Sequence, residues 1–188
     1  MMATTRESNL SFSLAVQNRS QVPIRLCYFC QKCTAGCPVA YAMDYKPAQV
    51  LRLIQMEQKD VVLNSSAIWL CVGCEACGTR CPFRIRLVPV FDTLRYMALA
   101  EGYEPEPAVY ALHRSFLDSI RLWGRLHELS MLLEYKLRIR DLFSDLAMGI
   151  KLILKGKIAI LPERIWGVSQ VRKLYKRTAD RSHTEVRT

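Results

Sequence analysis

The sequence predicts an all-α fold, and three observations lead to that class. Between Cys37 and Cys71 no run alternates apolar and polar side chains as a strand does, and no Asn-Gly or Asp-Gly pair marks a hairpin. Prolines stand where helices would begin, at Pro47 and Pro89. In the C-terminal half, apolar residues recur every three or four positions, which is the period of a helix with one buried face.

The N-terminal half divides into short elements. Residues 1–21 are polar and mixed, and we expect an extended arm there. A helix should begin at Pro47, with Asp44 just ahead of it, and a second short helix at 67–70 should deliver Cys71. Asn64, Ser65 and Ser66 offer capping oxygens to that second helix. A longer helix should begin at Pro89 and stop near Gly102.

The C-terminal half is typical of a helical extension. Glu104-Pro105-Glu106-Pro107 makes a rigid break. Beyond it, one apolar stripe extends from Val109 to Leu133, a further helix is expected at 141–154, and a last helix should begin at Pro162 and Glu163 and continue through Tyr175. We therefore predict three parts: the arm at 1–21, a cysteine-containing domain at 22–102, and at 103–188 a helical extension that docks on other subunits and ends in a basic tail.

All eight cysteines fall in two runs that share one spacing. In each run, three cysteines are separated by two residues, and the fourth follows after three more and is itself followed by proline. This is the pattern of proteins that hold two four-iron clusters, in which the fourth cysteine of each run binds the other cluster. The predicted ligands are Cys27, Cys30, Cys33 and Cys81 for one [4Fe-4S] cluster, and Cys71, Cys74, Cys77 and Cys37 for the other. The spacing predicts two clusters, and the lack of strand and hairpin signals between Cys37 and Cys71 makes the predicted domain an α-helical ferredoxin module.

Small residues beside the ligands would let backbone N–H groups approach the sulfur atoms, and such hydrogen bonds help to set a cluster's potential. Basic side chains near the ligands would raise that potential if they lie close in space; the alternative is that they are solvated or contact a partner. The small residues are Ala35, Gly36, Gly73, Ala76 and Gly78, and the basic ones are Lys32, Arg80, Arg84 and Arg86.

Two other uses of the cysteines are less favoured. Zinc sites usually take pairs of cysteines, whereas here a third cysteine follows at the same spacing in both runs. Disulfides would suit a secreted domain, but the first ten residues contain no apolar segment of a signal peptide. A chain of 188 residues can also bury a core without disulfides.

Composition narrows the classes of function. The formal net charge of +10 favours acidic partners, and we expect a basic face that contacts a partner protein. Nucleic-acid binding is not expected, because neither interleaved aromatic residues nor a coherent basic stripe is evident. No apolar run is long enough to span a membrane. The segment 150–161 could lie on a membrane surface, although a buried helix with snorkelling lysines is the favoured interpretation.

No arrangement of nucleophile and base is evident. His113, His127 and His183 are far apart in the sequence, and no glycine-rich nucleotide fingerprint occurs. With every cysteine assigned to a cluster, none is left as a redox nucleophile. The residues therefore favour a non-catalytic electron-transfer module over a complete enzyme, and we expect it to be cytoplasmic, with contact to the membrane periphery left open.

The segments around the cysteines resemble the C subunit of heterodisulfide reductase and its bacterial counterparts. The resemblance extends over about residues 22–175. It is carried by the segments 30–40, 43–44, 68–71 and 79–82, and by Lys155-Gly156-Lys157 with Leu161-Pro162-Glu163. The cysteine spacing alone is shared by many electron carriers, so the flanking residues narrow the match.

The resemblance implies a role in a hetero-oligomeric complex of sulfur metabolism. A protein of this kind would relay single electrons between the family's A subunit, which holds flavin and iron–sulfur clusters, and its catalytic B subunit, whose clusters lie in Cys-Cys-Gly motifs. This chain has no Cys-Cys-Gly motif and so does not resemble the catalytic protein. The alternative is an iron–sulfur subunit of another flavin- or quinone-linked oxidoreductase, similar to fumarate reductase or glycolate oxidase. Electron direction and sulfur substrate stay open.

Overall fold

The computed structural model describes residues 11–103, 106–141, 144, 149, 151–152, 154–156 and 161–186, with side chains described up to residue 178. Every regular element within these residues is helical, so the predicted all-α class is confirmed. The chain forms two compact units, Met1–Glu106 and Pro107–Thr188. The expected helix at 141–154 lies largely outside the described residues.

The first unit is built from short helices around one long helix. The elements are α1 (Phe12–Ser20), a 3₁₀ turn (Ile24–Leu26), α2 (Lys32–Ala35), α3 (Pro47–Gln55), α4 (Lys59–Leu63), α5 (Ala67–Leu70), α6 (Ala76–Arg80) and α7 (Leu87–Ala100). Helices α1, α4 and α5 all pack against α7. Val90, Phe91 and Leu94 of α7 are at most 2% exposed. Burial of each such side chain stabilises the fold by roughly 1.5–3 kcal/mol.

The helices expected around Pro47 and Pro89 are present. Pro47 is the first residue of α3, where its missing N–H costs nothing. Helix α7 begins two residues before Pro89, so that proline lies in the first turn. The helix ends at Ala100, and Gly102 follows with a φ of 82°, which a glycine adopts without strain.

The expected extended arm is wrong for residues 12–20, which form α1. Phe12, Val16 and Ser20 lie on one buried face of this helix, and α1 packs on α7. The carboxylate of Glu57 also accepts hydrogen bonds from the backbone N–H of Ser13, at 3.3 Å, and from its hydroxyl. Only two large apolar residues mark that face, and the capping carboxylate is distant in sequence, so the local pattern was too weak to predict a helix. Residues 1–10 lie outside the described part.

The second unit contains α8 (Pro107–Trp123), α9 (Glu128–Ile139) and α10 (Val168–Val186), and both later helices pack on α8. The apolar stripe expected to continue from Val109 to Leu133 is interrupted between α8 and α9. Gly124 has a φ of 81° there, and a Cβ at this position would come within 2.8 Å of Ile165 Cδ1. The left-handed φ ends α8, and the close approach of Ile165 leaves no room for a side chain at this position.

The last helix begins at Val168, not at Pro162 as expected. Residues 162–165 are not helical; in this segment the backbone N–H of Ile165 donates to the carbonyl of Trp123 at 3.4 Å. Glu163 forms an ion pair with Arg125 at 2.9 Å. These contacts hold the segment in an irregular path, which the sequence alone did not reveal.

Candidate metal centre

The two cysteine runs adopt the same backbone conformation. In the first run, the residues on either side of Cys30 are left-handed, Phe29 with a φ of 64° and Gln31 with a φ of 61°. In the second, the residues on either side of Cys74 are left-handed, Gly73 with a φ of 65° and Glu75 with a φ of 60°. A short helix then follows each loop, α2 after the first and α6 after the second, and these two helices pack together.

Four thiols surround one small cavity in the first unit. The cavity is lined by Cys71, Cys74 and Cys77 of the second run and by Cys37 of the first. Pro47 of α3 and Phe91 of α7 close part of its wall. The fourth cysteine of the first run thus lies with the first three of the second run. These are the four residues that the spacing predicted for one cluster.

Three of the other four cysteines lie near Tyr28, and the fourth, Cys33, lies near Cys27. The pKa of Tyr28 is raised because its hydroxyl donates a hydrogen bond to the sulfur of Cys30, and negative charge on Cys81 and Cys27 raises it further. Negative charge on Cys27 also contributes to raising the pKa of Cys33. Tyr28 meets Phe83 edge to face, with ring centroids 5.4 Å apart. The first run therefore shares its surroundings with Cys81 of the second.

Backbone N–H groups point at several sulfur atoms. The N–H of Lys32 lowers the pKa of Cys30. Thr34 donates to Cys33, Gly73 to Cys71, and Gly78 and Leu87 to Cys77. Such donors stabilise a thiolate and tune a bound cluster. Of the small residues expected to allow this approach, Gly73 and Gly78 do so.

Burial opposes ionisation at three of the thiols. It raises the pKa of Cys33 to about 11 and also raises the pKa values of Cys71 and Cys77. None of the eight cysteines forms a disulfide. Because iron binds thiolates, loading of these sites releases protons and supplies the positive charge that compensates for burial. The donor set and its amide hydrogen bonds fit a four-iron cluster at each group of thiols.

The basic residues expected near the ligands have different surroundings. Lys32 is exposed, and its charge acts on Cys30. Arg86 pairs with the carboxylate of Glu75 at 2.5 Å. The guanidinium of Arg80 lies over Gly36, where a Cβ would come within 2.6 Å of its Nε. Arg84 is exposed and left-handed, with a φ of 54°.

Asp44 has a role that the sequence did not indicate. It does not cap α3; instead its carboxylate accepts hydrogen bonds at the start of α5, from Ser65 Oγ at 2.8 Å and from the backbone N–H groups of Ser66 and Ala67 at 3.0 Å each. Partial burial alone would raise the pKa of Asp44, but these bonds and one from Tyr45 N outweigh it and lower the pKa. The segment after the first run thus anchors the helix that delivers Cys71.

Two further side chains outside the cysteine runs hold the backbone of the loops. Gln55 at the end of α3 reaches the first loop, and Arg95 of α7 reaches the second. Neither stands close to a cysteine in sequence, so no local pattern could have identified them.

Within the residues that the structure describes, no group of three or more His, Cys, Asp or Glu side chains is arranged around a single metal ion. The four thiolates of a cubane cluster instead bind four different irons. No helix among the described residues is long and apolar enough to cross a membrane.

Residues 23–85 match the family model described as a 4Fe-4S dicluster domain. Together with the helical fold and the two groups of thiols, this match supports 4Fe-4S clusters in the first unit, and the dicluster description agrees with eight cysteines.

The similar curated proteins are components of one kind of complex. The chain is 40% identical over 86 residues to the C subunit of the ferredoxin:CoB-CoM heterodisulfide reductase of Methanosarcina acetivorans, covering 46% of this chain and 34% of that protein. It is 31% identical over 80 residues to the iron-sulfur C subunit of the CoB–CoM heterodisulfide reductase of Methanopyrus kandleri, covering 43% and 42%. It is 28% identical over 100 residues to the C subunit of the H(2):CoB-CoM heterodisulfide,ferredoxin reductase of Methanothermobacter thermautotrophicus, covering 52% and 54%.

The resemblance to the C subunit of heterodisulfide reductase is thus confirmed. The chain spans about a third to a half of the length of these relatives. The matched segments of 80 to 100 residues are shorter than the range of 22–175 expected from the sequence.

Proposed function

We propose that this chain is the electron-transfer subunit of a heterodisulfide reductase-like complex. In this role it relays single electrons between two partners: a protein that holds flavin and iron–sulfur clusters, and a catalytic, disulfide-handling protein with Cys-Cys-Gly motifs. When bound, a four-iron cluster accepts and releases one electron at a time. The observation that carries the proposal is the crossing of the two cysteine runs, which gathers two groups of thiols within one helical unit.

The protein's own residues supply position and environment for this chemistry. Cys27, Cys30, Cys33 and Cys81 would hold one cluster, and Cys71, Cys74, Cys77 and Cys37 the other. The packing of α2 against α6 fixes the distance between the two groups. At the rim, Tyr28 and Val72 are 59% and 64% exposed, which leaves each loop open to a partner surface.

The first test is the content of metal and sulfide. The chain purified without oxygen should contain about eight irons and eight sulfides, because each cubane cluster holds four of each. Reduction should produce the EPR signals of two interacting clusters. Zinc in place of iron, or half the expected iron, would contradict the proposal.

The crossed ligand assignment has a sharper test. If Cys37 serves the second cluster, then Cys37→Ser should alter the same EPR signal as Cys74→Ser. By the same reasoning, Cys81→Ser should alter the same signal as Cys30→Ser. The opposite grouping, in which Cys37→Ser behaves like Cys30→Ser, would show that each run holds its own cluster.

The identity of the partners requires a separate experiment. Affinity purification from the native host should recover a protein with Cys-Cys-Gly motifs and a flavoprotein. Recovery of membrane-spanning proteins without a Cys-Cys-Gly protein would instead favour a quinone-linked oxidoreductase.

A further inference from the structure

Arg95 binds the backbone that presents the first cysteine of the second run. From α7, its Nε donates to the carbonyl of Ile68 at 2.5 Å and its NH2 group donates to the carbonyl of Cys71 at 2.6 Å. Its NH1 group pairs with Asp92 at 2.9 Å. The side chain of Arg95 is only 19% exposed, whereas that of Asp92 is 61% exposed. The guanidinium therefore lies mostly out of water, with one nitrogen on α5 and another on the first cysteine of the second run.

Gln55 makes the same two contacts in the first run. Its Nε2 donates to the carbonyls of Ile24 and Cys27, at 3.1 Å each. Ile24 precedes Cys27 by three residues, as Ile68 precedes Cys71, so the pairs of carbonyls are equivalent in the two halves. The amide oxygen of Gln55 accepts from the exposed Arg52 at 3.3 Å, which orients the amide nitrogen towards the loop. One half thus uses a neutral amide where the other uses a cation.

The difference in charge acts on the sulfur atoms. The NH2 group of Arg95 lies 2.6 Å from the carbonyl oxygen of Cys71, so the positive charge stands close to that cysteine. A cluster gains one negative charge when it is reduced, so a nearby cation stabilises the reduced state and raises the reduction potential. Because Arg95 is mostly buried, salt screens its charge less than that of an exposed side chain.

Two other charges near the loops are weakened by solvent or by an ion pair. Lys32 acts on Cys30 in the first run, but it is exposed to solvent. Glu75 lies beside the second group of thiols, but Arg86 pairs with it. Arg95, in contrast, is mostly buried and donates to the carbonyls of Ile68 and Cys71.

We propose that Arg95 makes the two cluster sites electrically unequal, so that the site of Cys71 has the higher reduction potential and receives the first electron. The proposal rests on the proposed function only in requiring that both groups of thiols hold a cluster. It gives the relay an internal direction, because an electron entering at the Cys27 site moves downhill to the Cys71 site.

The test is a redox titration of the complete chain, followed by EPR, with Arg95→Gln. Cys74→Ser, which perturbs a ligand of the Cys71 site, identifies the signal that belongs to that site. Arg95→Gln should lower the higher of the two midpoint potentials and leave the lower one in place. We expect the equilibrium distribution of one electron between the sites to change by about tenfold, which corresponds to about 59 mV.

Two variants separate the charge of Arg95 from its support of the loop. Asp92→Asn removes the exposed partner of Arg95 without touching the loop contacts, and it should raise the potential of the Cys71 site. Arg95→Lys keeps the charge but loses the planar fork that places a separate nitrogen on each carbonyl, so it should preserve the potential better than Arg95→Gln while retaining less iron than the wild type. Arg52→Gln is the matched control, and it should leave the Cys71 site unchanged.

The outcomes are distinguishable. Equal shifts of both potentials in Arg95→Gln, a shift of the lower one alone, or no shift would overturn the proposal. If Arg95→Gln loses its clusters, Asp92→Asn decides, and an unchanged potential in that variant would overturn it. A wild-type chain with fewer than eight irons would instead overturn the proposed function before any variant is compared.

Discussion

Asp44 links the segment after the first cysteine run to the helix that precedes the second. We predict that Asp44→Ala loosens the second cluster site although Asp44 touches no cysteine. The variant removes the acceptor of four hydrogen bonds, from Ser65 Oγ and from the backbone N–H groups of Tyr45, Ser66 and Ala67, at 2.7–3.0 Å. The N–H of Ala67 retains Ser65 Oγ as an acceptor at 3.1 Å.

The expected loss follows from the kind of bond. Removal of a helix-capping side chain costs about 1 kcal/mol, and hydrogen bonds to a charged group are each worth roughly 1.5–3 kcal/mol. Water replaces part of the lost hydrogen bonding at this partly exposed site, and the N–H of Ala67 still has Ser65 Oγ as its acceptor. We therefore expect a loss of about 2–3 kcal/mol in the free energy of unfolding. For a unit of this size, 1 kcal/mol corresponds to roughly 4–8 °C, so the thermal midpoint should fall by at least about 8 °C.

The assay is the loss of the visible charge-transfer absorbance on heating, with Asp44→Asn and Asp92→Asn as comparisons. Asp44→Asn keeps an acceptor oxygen and should lose less stability than Asp44→Ala, and the exposed Asp92 should matter little. Because the pKa of Asp44 is lowered from 3.8, its stabilisation is fully present above that pH and lost only as pH falls further. The difference in thermal midpoint between the wild type and Asp44→Ala should therefore be constant from about pH 8 to about pH 5. A difference in thermal midpoint that disappears within this range, or no difference at any pH, would refute the reasoning.

Three further variants test other features. Gly73→Ala forces a side chain into a left-handed φ of 65°, where no atom lies closer than 3.9 Å. It should therefore lower the free energy of unfolding by about 1–2 kcal/mol through backbone strain alone. Gly102→Ala, at a φ of 82°, is the matched control and should destabilise the unit without altering the EPR signals. Gly36→Ala should displace the guanidinium of Arg80 and shift the potentials as Arg80→Gln does, and the double variant should shift them no further, which a redox titration measures. Ser119→Ala removes the buried acceptor of the His127 N–H at 3.0 Å and should cost about 1–3 kcal/mol, seen as faster hydrogen exchange in α8 and α9, whereas the exposed Ser169→Ala should have no effect.

The cysteine spacing was the most informative part of the sequence. It predicted that Cys37 lies with the second run and Cys81 with the first, and the structure brings these residues together in that way. Whether they bind clusters in those sets stays a prediction. The helices at 47–55 and 87–100 were also predictable, because each combines an N-terminal proline with a strong apolar face.

The features that were missed depend on residues distant in sequence. Helix α1 is stabilised by α7 and by Glu57, and the lack of room for a side chain at Gly124 comes from Ile165. Gln55 and Arg95 are ordinary polar residues on amphipathic helices, and only the folded chain shows that both end on cysteine loops. A local pattern contains no information about such contacts, because each requires two segments whose distance is fixed by the packing of others.

The cavity that Cys37 shares with the second run has a consequence for assembly. Iron bound there by Cys71, Cys74 and Cys77 would also immobilise Cys37 and with it the short helix α2 just before it, which carries Cys33. When one site is filled, part of the chain at the other site is already ordered, so less conformational entropy is lost when the second site is filled. Half-loaded molecules should accordingly be scarce during maturation, and the chain should pass from empty to full in what is effectively one cooperative step.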